Sequence, residues 1–136
     1  DENPDTPATG EIITCNFDGK AASNSMFVAT KDGAEPSWTS KNGPVTVGGV
    51  TYTNGVKMES ATNIAFSIDA TMTLNIYFTK AEKDPADIEV DDVKIEGVAN
   101  DNYFVATTSV EAGDHNITRG SKETQIYLIE LVPAGK

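Results

Sequence analysis

The sequence has few of the residues from which catalytic and metal sites are usually built. Among 136 residues there are one cysteine, Cys15, and one histidine, His115. A single cysteine cannot form an intrachain disulfide, and a single histidine leaves little material for a nucleophilic dyad or a zinc site, so no catalytic residue is expected. Cys15 alternates with Ile13 and Phe17, which predicts a buried core position. His115 shares the phase of Ile117, which predicts a hydrogen-bonded, partly buried side chain.

Positive charge is also scarce, since 10 lysines and arginines stand against 21 aspartates and glutamates. The formal net charge of −11 argues against a nucleic-acid partner, because few cations are available to displace phosphate counterions. It also argues against binding to an anionic membrane surface. No apolar run approaches the roughly 18 residues that a membrane-spanning helix needs. These shortages argue against several classes of function, but they do not indicate which function the protein has.

The first ten residues differ from the rest of the chain. Residues 1–10, DENPDTPATG, include two prolines, three acidic side chains and no large apolar group. Such a segment buries too little surface to offset its ordering entropy, so we interpret it as a flexible acidic tether. Residues 11–136 are then the single folded domain, as the chain length favours. No signal-peptide pattern precedes the tether, so an export signal has been removed or was never present.

Beyond residue 10 the chain consists of short β-type runs separated by turn residues, with no sustained helical period. In the clearest run, apolar and polar residues alternate from Met72 to Phe78. A similar run at 64–68 precedes it, and the short connection predicts an antiparallel hairpin between the two. About ten strands with short connections predict an all-β fold, an antiparallel β-sandwich of the jelly-roll type.

Two further hairpins follow from turn chemistry. Gly-Gly at 48–49 and Asp-Asp at 91–92 each lie between two valines, which would stand opposite each other across a two-residue loop. A β-bulge at Asp91 is the alternative explanation for the second case. The stretches 31–44 and 80–87 are the longest irregular segments, so they are candidate binding loops.

Sugar recognition needs an aromatic ring face and a few polar groups for the hydroxyls. Trp38, the only tryptophan, and Tyr103 are candidate platforms, with packing over a loop or sheet edge as the alternative for Trp38. Lys57, Glu59 and Arg119 are candidates for polar contacts, and cross-strand ion pairing is their alternative role.

Calcium is a candidate cofactor, because acidic β-sandwiches can assemble its roughly six to eight oxygen ligands from loops. Asp18, the pair Asp91 and Asp92, and the pair Asp84 and Asp87 are the candidate donors. Solvated surface charge is the alternative reading of these residues. Acidic residues are so abundant that no single pair is favoured for glycoside hydrolysis.

Four motifs occur in order along the chain: FDGK at 17–20, GVKMES at 55–60, AGDHNITRG at 112–120 and IYL at 126–128. Together they resemble small β-sandwich accessory domains of secreted pectate lyases and surface lipoproteins of Bacteroidetes, over about residues 11–132. The resemblance implies a non-catalytic carbohydrate-binding domain for plant-type polysaccharide, either pectin or a neutral plant glycan. The acidic leader resembles that of lipoproteins, which implies export to the outer-membrane surface or the medium. We expect a monomer.

Pectin is a polyanion, so a domain of net charge −11 would repel it unless calcium or a local basic patch intervenes. Lys57, Arg119 and Lys122 would form such a patch if the fold brought them together. A neutral glycan avoids the conflict. The alternative function is a structural or interaction domain of a surface lipoprotein, in which the aromatic residues serve only in packing.

Overall fold

The computed structural model describes residues 11–81 and 85–134. The tether predicted for residues 1–10 and the candidate calcium ligand Asp84 lie outside the described residues. Within the described ranges the chain forms strands, turns and loops, and no residue is helical. Accordingly, the described part contains no helix long and apolar enough to cross a membrane.

Thirteen strands follow one another in the described chain. They are β1 (Ile13–Asn16), β2 (Val28–Lys31), β3 (Ser37–Thr39), β4 (Val45–Val47), β5 (Val50–Tyr52), β6 (Gly55–Met58), β7 (Thr62–Ile68), β8 (Met72–Lys80), β9 (Asp87–Val90), β10 (Val93–Asn100), β11 (Tyr103–Val110), β12 (Gly113–Arg119) and β13 (Thr124–Pro133). The expectation of a continuous irregular stretch at 31–44 is wrong, because β3 lies inside it. A three-residue strand is too short to show an alternation in the sequence.

The strands form two antiparallel layers. Sheet 1 has the order β3-β6-β13-β8-β11-β10, and β1 pairs with the second half of β13. Sheet 2 has the order β10-β9-β12-β7-β2. β10 belongs to both sheets, because its first half pairs with β9 and its second half pairs with β11. The predicted antiparallel β-sandwich is therefore confirmed, with successive strands such as β6, β7 and β8 alternating between the layers.

The predicted hairpin between the runs at 64–68 and 71–79 is wrong. β7 pairs with β2 and β12 in sheet 2, whereas β8 pairs with β11 and β13 in sheet 1. The connection from Ile68 to Met72 is an arch between the sheets, so the apolar faces of these strands meet across the core. Two alternating runs with a short polar connection are compatible with either arrangement, and local sequence does not separate the two.

The two hairpins predicted from turn chemistry are confirmed. The valines beside the Gly-Gly loop pair with each other, and Val90 pairs with Val93 across the Asp-Asp loop. Asp91 and Asp92 have φ angles of 52° and 69°. Positive φ at both central positions is what a type I′ hairpin turn requires, so no bulge is needed at Asp91.

The main core fills the space between the two sheets. It includes Phe17 and Phe78 from the sheet 1 side and Phe66 and Ile117 from sheet 2, all nearly inaccessible to solvent. Cys15 is fully buried in the same core, as the sequence predicts. Burial raises the pKa of its thiol, which keeps the side chain neutral and inert.

A second apolar cluster lies on the outer face of sheet 1. There the β4–β5 hairpin covers the sheet, and Val45 packs with Tyr103 and the fully buried Tyr127. The ring of Tyr77 lies 5.8 Å from that of Tyr103, measured between centroids. The hairpin therefore covers the tyrosines that sheet 1 presents on this part of its outer face.

Gly97 lies where β10 passes from one sheet to the other. A Cβ at this position would stand 2.6 Å from Cζ of the buried Phe78 and 3.0 Å from Cβ of Phe104.

We expect Gly97→Ala to lower the free energy of unfolding by about 1–3 kcal/mol, because the core is too closely packed to absorb the methyl group. Urea denaturation measures the change. Gly19→Ala is the matched control, since its added Cβ meets nothing within 4 Å, and equal loss in both variants would contradict the prediction.

Candidate functional site

Two lysines and a glutamate meet at the edge of the sandwich where β2 of sheet 2 approaches β3 and β6 of sheet 1. Glu59 Oε1 accepts hydrogen bonds from Lys31 Nζ at 2.7 Å and from Ser37 Oγ at 3.1 Å. Lys57 Nζ lies 3.6 Å from Glu59 Oε2. We call Lys31, Ser37, Lys57 and Glu59 the lysine edge.

Strand alternation explains why these side chains face solvent. In β6, Val56 and Met58 are fully buried in the core, so Lys57 and the following Glu59 point outward. The pairing of β3 with β6 places Ser37 opposite Lys57. The sequence alone identified Lys57 and Glu59. It missed Lys31 and Ser37, because their positions depend on long-range strand pairing.

The lysine edge gathers two cations in a strongly acidic protein. Its two ammonium groups share the carboxylate of Glu59, and Asp32 is a second acidic neighbour of Lys31. The hydrogen bond between Lys31 and Glu59 lowers the pKa of Glu59 and raises the pKa of Lys31, so both groups stay ionised near neutral pH. The side chains of Lys31 and Lys57 are 35% and 38% exposed, which leaves both accessible to a ligand.

Trp38 lies next to the lysine edge but points to the opposite face of β3. It stands opposite Val56, and its ring centroid lies 6.2 Å from that of Phe17. The indole is packed against the core while remaining partly exposed. This placement supports packing over the sheet edge, with the residue still partly exposed.

Tyr103 and Arg119 are not part of the lysine edge. Tyr103 is only 8% exposed and packs in the second apolar cluster, so its ring is not open for stacking on a sugar. Arg119 ends β12 in sheet 2, opposite Ile88 of β9 and one residue beyond the pair Thr118–Asn63, which places it level with Lys31 across β7. The patch expected from Lys57, Arg119 and Lys122 stays a prediction, and the observed ion pairs add Lys31 to Lys57 through Glu59.

The motif around Asp18 holds the start of β6. Asp18 Oδ1 accepts hydrogen bonds from the N–H groups of Thr53 at 2.6 Å and Asn54 at 3.0 Å. The Asn54 and Thr53 bonds lower the pKa of Asp18, so the carboxylate is present at neutral pH. Gly55 comes next, and a Cβ there would stand 2.7 Å from the carbonyl oxygen of Ile126. Asp18 of the FDGK motif and Gly55 of the GVKMES motif therefore both set the position of β6 against β13.

The end of the AGDHNITRG motif also has a structural role, because the chain there packs against Asp87. Asp87 is almost fully buried, and its carboxylate accepts hydrogen bonds from the N–H of Ser121 at 2.6 Å and from its hydroxyl at 2.9 Å. Gly120 packs so closely on Asp87 that a side chain there would collide with it. Within 11–81 and 85–134 no three acidic, cysteine or histidine side chains gather at one point to hold a metal ion.

His115 is hydrogen-bonded at both ring nitrogens. Nδ1 lies 2.6 Å from Asp91 Oδ2, and Nε2 lies 2.6 Å from the carbonyl oxygen of Glu111. A carboxylate and a carbonyl oxygen both accept hydrogen bonds, so this arrangement favours the doubly protonated imidazolium form of the ring. Asp91 Oδ1 also accepts a bond from the N–H of Asn116 at 2.9 Å. The prediction of a satisfied, partly buried histidine is confirmed, and its role is to tie the β9–β10 turn to β12.

The His115 pair makes stability dependent on pH. Burial opposes the charge, but the bonds to Asp91 and Glu111 outweigh it and raise the pKa of His115. Stability from this pair is therefore fully present below the unfolded pKa of about 6.5 and is lost as pH rises through the folded value. We expect NMR titration of the single imidazole to give a pKa above about 6.5, and Asp91→Asn to lower it. A wild-type pKa at or below about 6.5 would contradict this prediction.

The fold and the site define a class of protein, a β-sandwich with a solvent-facing polar edge of the kind found in accessory sugar-binding domains. The family model of carbohydrate binding module 77 matches residues 11–129. The chain therefore belongs to carbohydrate-binding module family 77, and it is a non-catalytic carbohydrate-binding module.

Solved structures resemble this fold. One comes from work on the Ruminococcus flavefaciens cellulosome, whose complexity is described as reflecting an expansion in glycan recognition; it has a TM-score of 0.72 and 24% identity, covering 92% of this chain and 96% of that chain. The catalytic domain of a GH87 α-1,3-glucanase in complex with nigerose has a TM-score of 0.50 and 10% identity, covering 95% of this chain and 29% of that one. At these identities the likeness shows the fold alone. No curated protein matches the sequence.

Proposed function

We propose that this module recognises a plant-type polysaccharide and that the lysine edge is its main contact, with the acidic chain of pectin as the ligand. The observation that supports this proposal most is the pair of half-exposed lysines that share a single carboxylate. A uronate carboxylate in the ligand would give Lys57 an anionic partner besides Glu59.

Each side chain of the lysine edge has a role in this proposal. Lys57 is held less tightly than Lys31, at 3.6 Å from Glu59 compared with 2.7 Å, so it is the cation free to reach a ligand carboxylate. Glu59 positions both lysines and can accept a sugar hydroxyl. Trp38, which follows Ser37 in β3 and is partly exposed, would offer apolar surface to a sugar ring that extends past the lysine edge. Tyr103, which is buried in the second apolar cluster, is left out of the proposed site, whereas Arg119 stands level with Lys31 across β7 and can add a further cation.

The net charge of −11 is compatible with an acidic ligand if contact is local. Repulsion between exposed charges is largely screened beyond a Debye length of about 10 Å at 0.1 M salt. At shorter range the ligand meets the two ammonium groups of the lysine edge. Calcium is not required for this contact, so we expect binding to persist in a chelator.

Substitution of Lys57 tests the site. We expect Lys57→Ala to weaken binding to polygalacturonate roughly tenfold, since one charge-assisted hydrogen bond is lost. Affinity electrophoresis and isothermal titration calorimetry measure the change. Lys94→Ala, at an exposed lysine of β10, is the matched control with the same change in net charge. Equal affinity of the two variants would contradict the proposed site.

We also propose that the module is a monomer exported to the outer-membrane surface or the medium. Carbohydrate-binding modules are typically extracellular or surface-associated, and the acidic residues 1–10 resemble a lipoprotein leader. Light scattering tests the oligomeric state. Failure of the wild-type chain to bind any plant polysaccharide would favour the alternative, a structural domain of a surface lipoprotein.

A further inference from the structure

A trough of about 610 Å³ lies on the outer face of sheet 2, a different layer from Lys57 and Glu59. Its floor is Ala65 in β7. Strand register places Val28 of β2 on one side of Ala65 and Asn116 of β12 on the other. The small side chain of Ala65 between two larger ones leaves the depression open.

One wall of the trough is apolar. It is formed by Met26, which is partly buried, and by Val28, which is 54% exposed. An exposed valine on a strand is ordinary by itself. Here Val28 faces a row of polar groups across the floor. The trough therefore has an apolar side and a polar side, and a sugar ring likewise presents an apolar face and hydroxyl groups.

The opposite wall is polar and held in place. Asn116 Oδ1 accepts a hydrogen bond from Asn63 Nδ2 at 3.0 Å, which orients the amide and leaves its NH2 group to donate. Asp114 Oδ1 accepts a hydrogen bond from the Ser67 hydroxyl, and its second oxygen remains an acceptor. Asn116 and Asp114 are two residues apart on the same face of β12, so a donor and an acceptor lie about 7 Å apart along one wall.

The trough and the lysine edge differ in charge. Asp114 and His115 are the charged residues among those described around it, and the charge of His115 is already balanced by Asp91. The unbalanced charge is therefore the carboxylate of Asp114. A uronate would be repelled here, whereas an uncharged sugar offers hydroxyls that both donate and accept.

We propose that this trough is a second carbohydrate-binding site, which takes an uncharged sugar residue and acts independently of the lysine edge. The inference rests on the carbohydrate-binding function of the module but not on the ligand proposed for the lysine edge. A polysaccharide with an acidic backbone and neutral branches, or two different chains, would engage both sites. Simultaneous engagement raises the overall affinity without new contacts.

Filling the trough tests the proposal. Ala65 is partly exposed in the middle of a strand, so Ala65→Leu fills the floor without removing a polar group. The probes are galactan, arabinan, xyloglucan and glucomannan as neutral glycans, with polygalacturonate as the acidic one. We expect Ala65→Leu to weaken binding to at least one neutral probe roughly tenfold and to leave polygalacturonate binding unchanged. Ala99→Leu, an equal change at an exposed position of β10, is the matched control.

The polar wall provides a second variant. Asn116→Asp keeps the shape of the side chain but replaces the donor NH2 with charge, so we expect the same selective loss of the neutral probe. Lys57→Ala should do the reverse, weakening polygalacturonate and sparing the neutral probe. The proposal is overturned if the wild-type chain binds none of the neutral probes, or if Ala65→Leu and Ala99→Leu bind them equally. It is also overturned if Lys57→Ala abolishes neutral binding, and none of these results alone contradicts acidic binding at the lysine edge.

Discussion

The register of β6 is the constraint on which the rest of the site depends. Asp18 holds the two N–H groups that precede β6, and Gly55 lets the strand approach the backbone of β13. Since successive side chains alternate between faces, a slip of one residue would turn Lys57 into the core and Val56 into solvent. A carboxylate distant in sequence therefore determines which charges the module presents.

This arrangement gives the family motifs a physical meaning. Some of the residues that carry the resemblance hold turns, as Asp18 does before β6 and His115 does for the β9–β10 turn. In the GVKMES motif the apolar residues anchor the strand, and the charged residues between them form part of the lysine edge. A shared motif order thus indicates a shared fold, while the ligand contact that we propose uses Lys57 and Glu59 of a motif together with Lys31, which no motif includes.

The sequence alone predicted the features that depend on residues close to one another in the chain. Positive-φ turns, the burial of Cys15 and the satisfied His115 follow from patterns a few residues long. Features set by distant pairing were not predictable. The arch after Ile68 has the same local pattern as a hairpin, and Lys31 meets Glu59 only because two crossovers bring β2 and β6 to one edge. Tyr103 was a candidate platform because no sequence pattern showed that the β4–β5 hairpin would cover it.

The acidic excess is distributed so that the two faces differ in chemistry. The lysine edge presents two ammonium groups that share one carboxylate, whereas the trough on sheet 2 has the carboxylate of Asp114, so we expect the module to separate acidic from neutral sugars by position. The most direct test of the central claim is a 15N NMR titration with an oligogalacturonate. The account predicts that amide shifts concentrate at Lys31, Ser37 and Lys57. Shifts confined to other surfaces, or no shifts at saturating ligand, would contradict it.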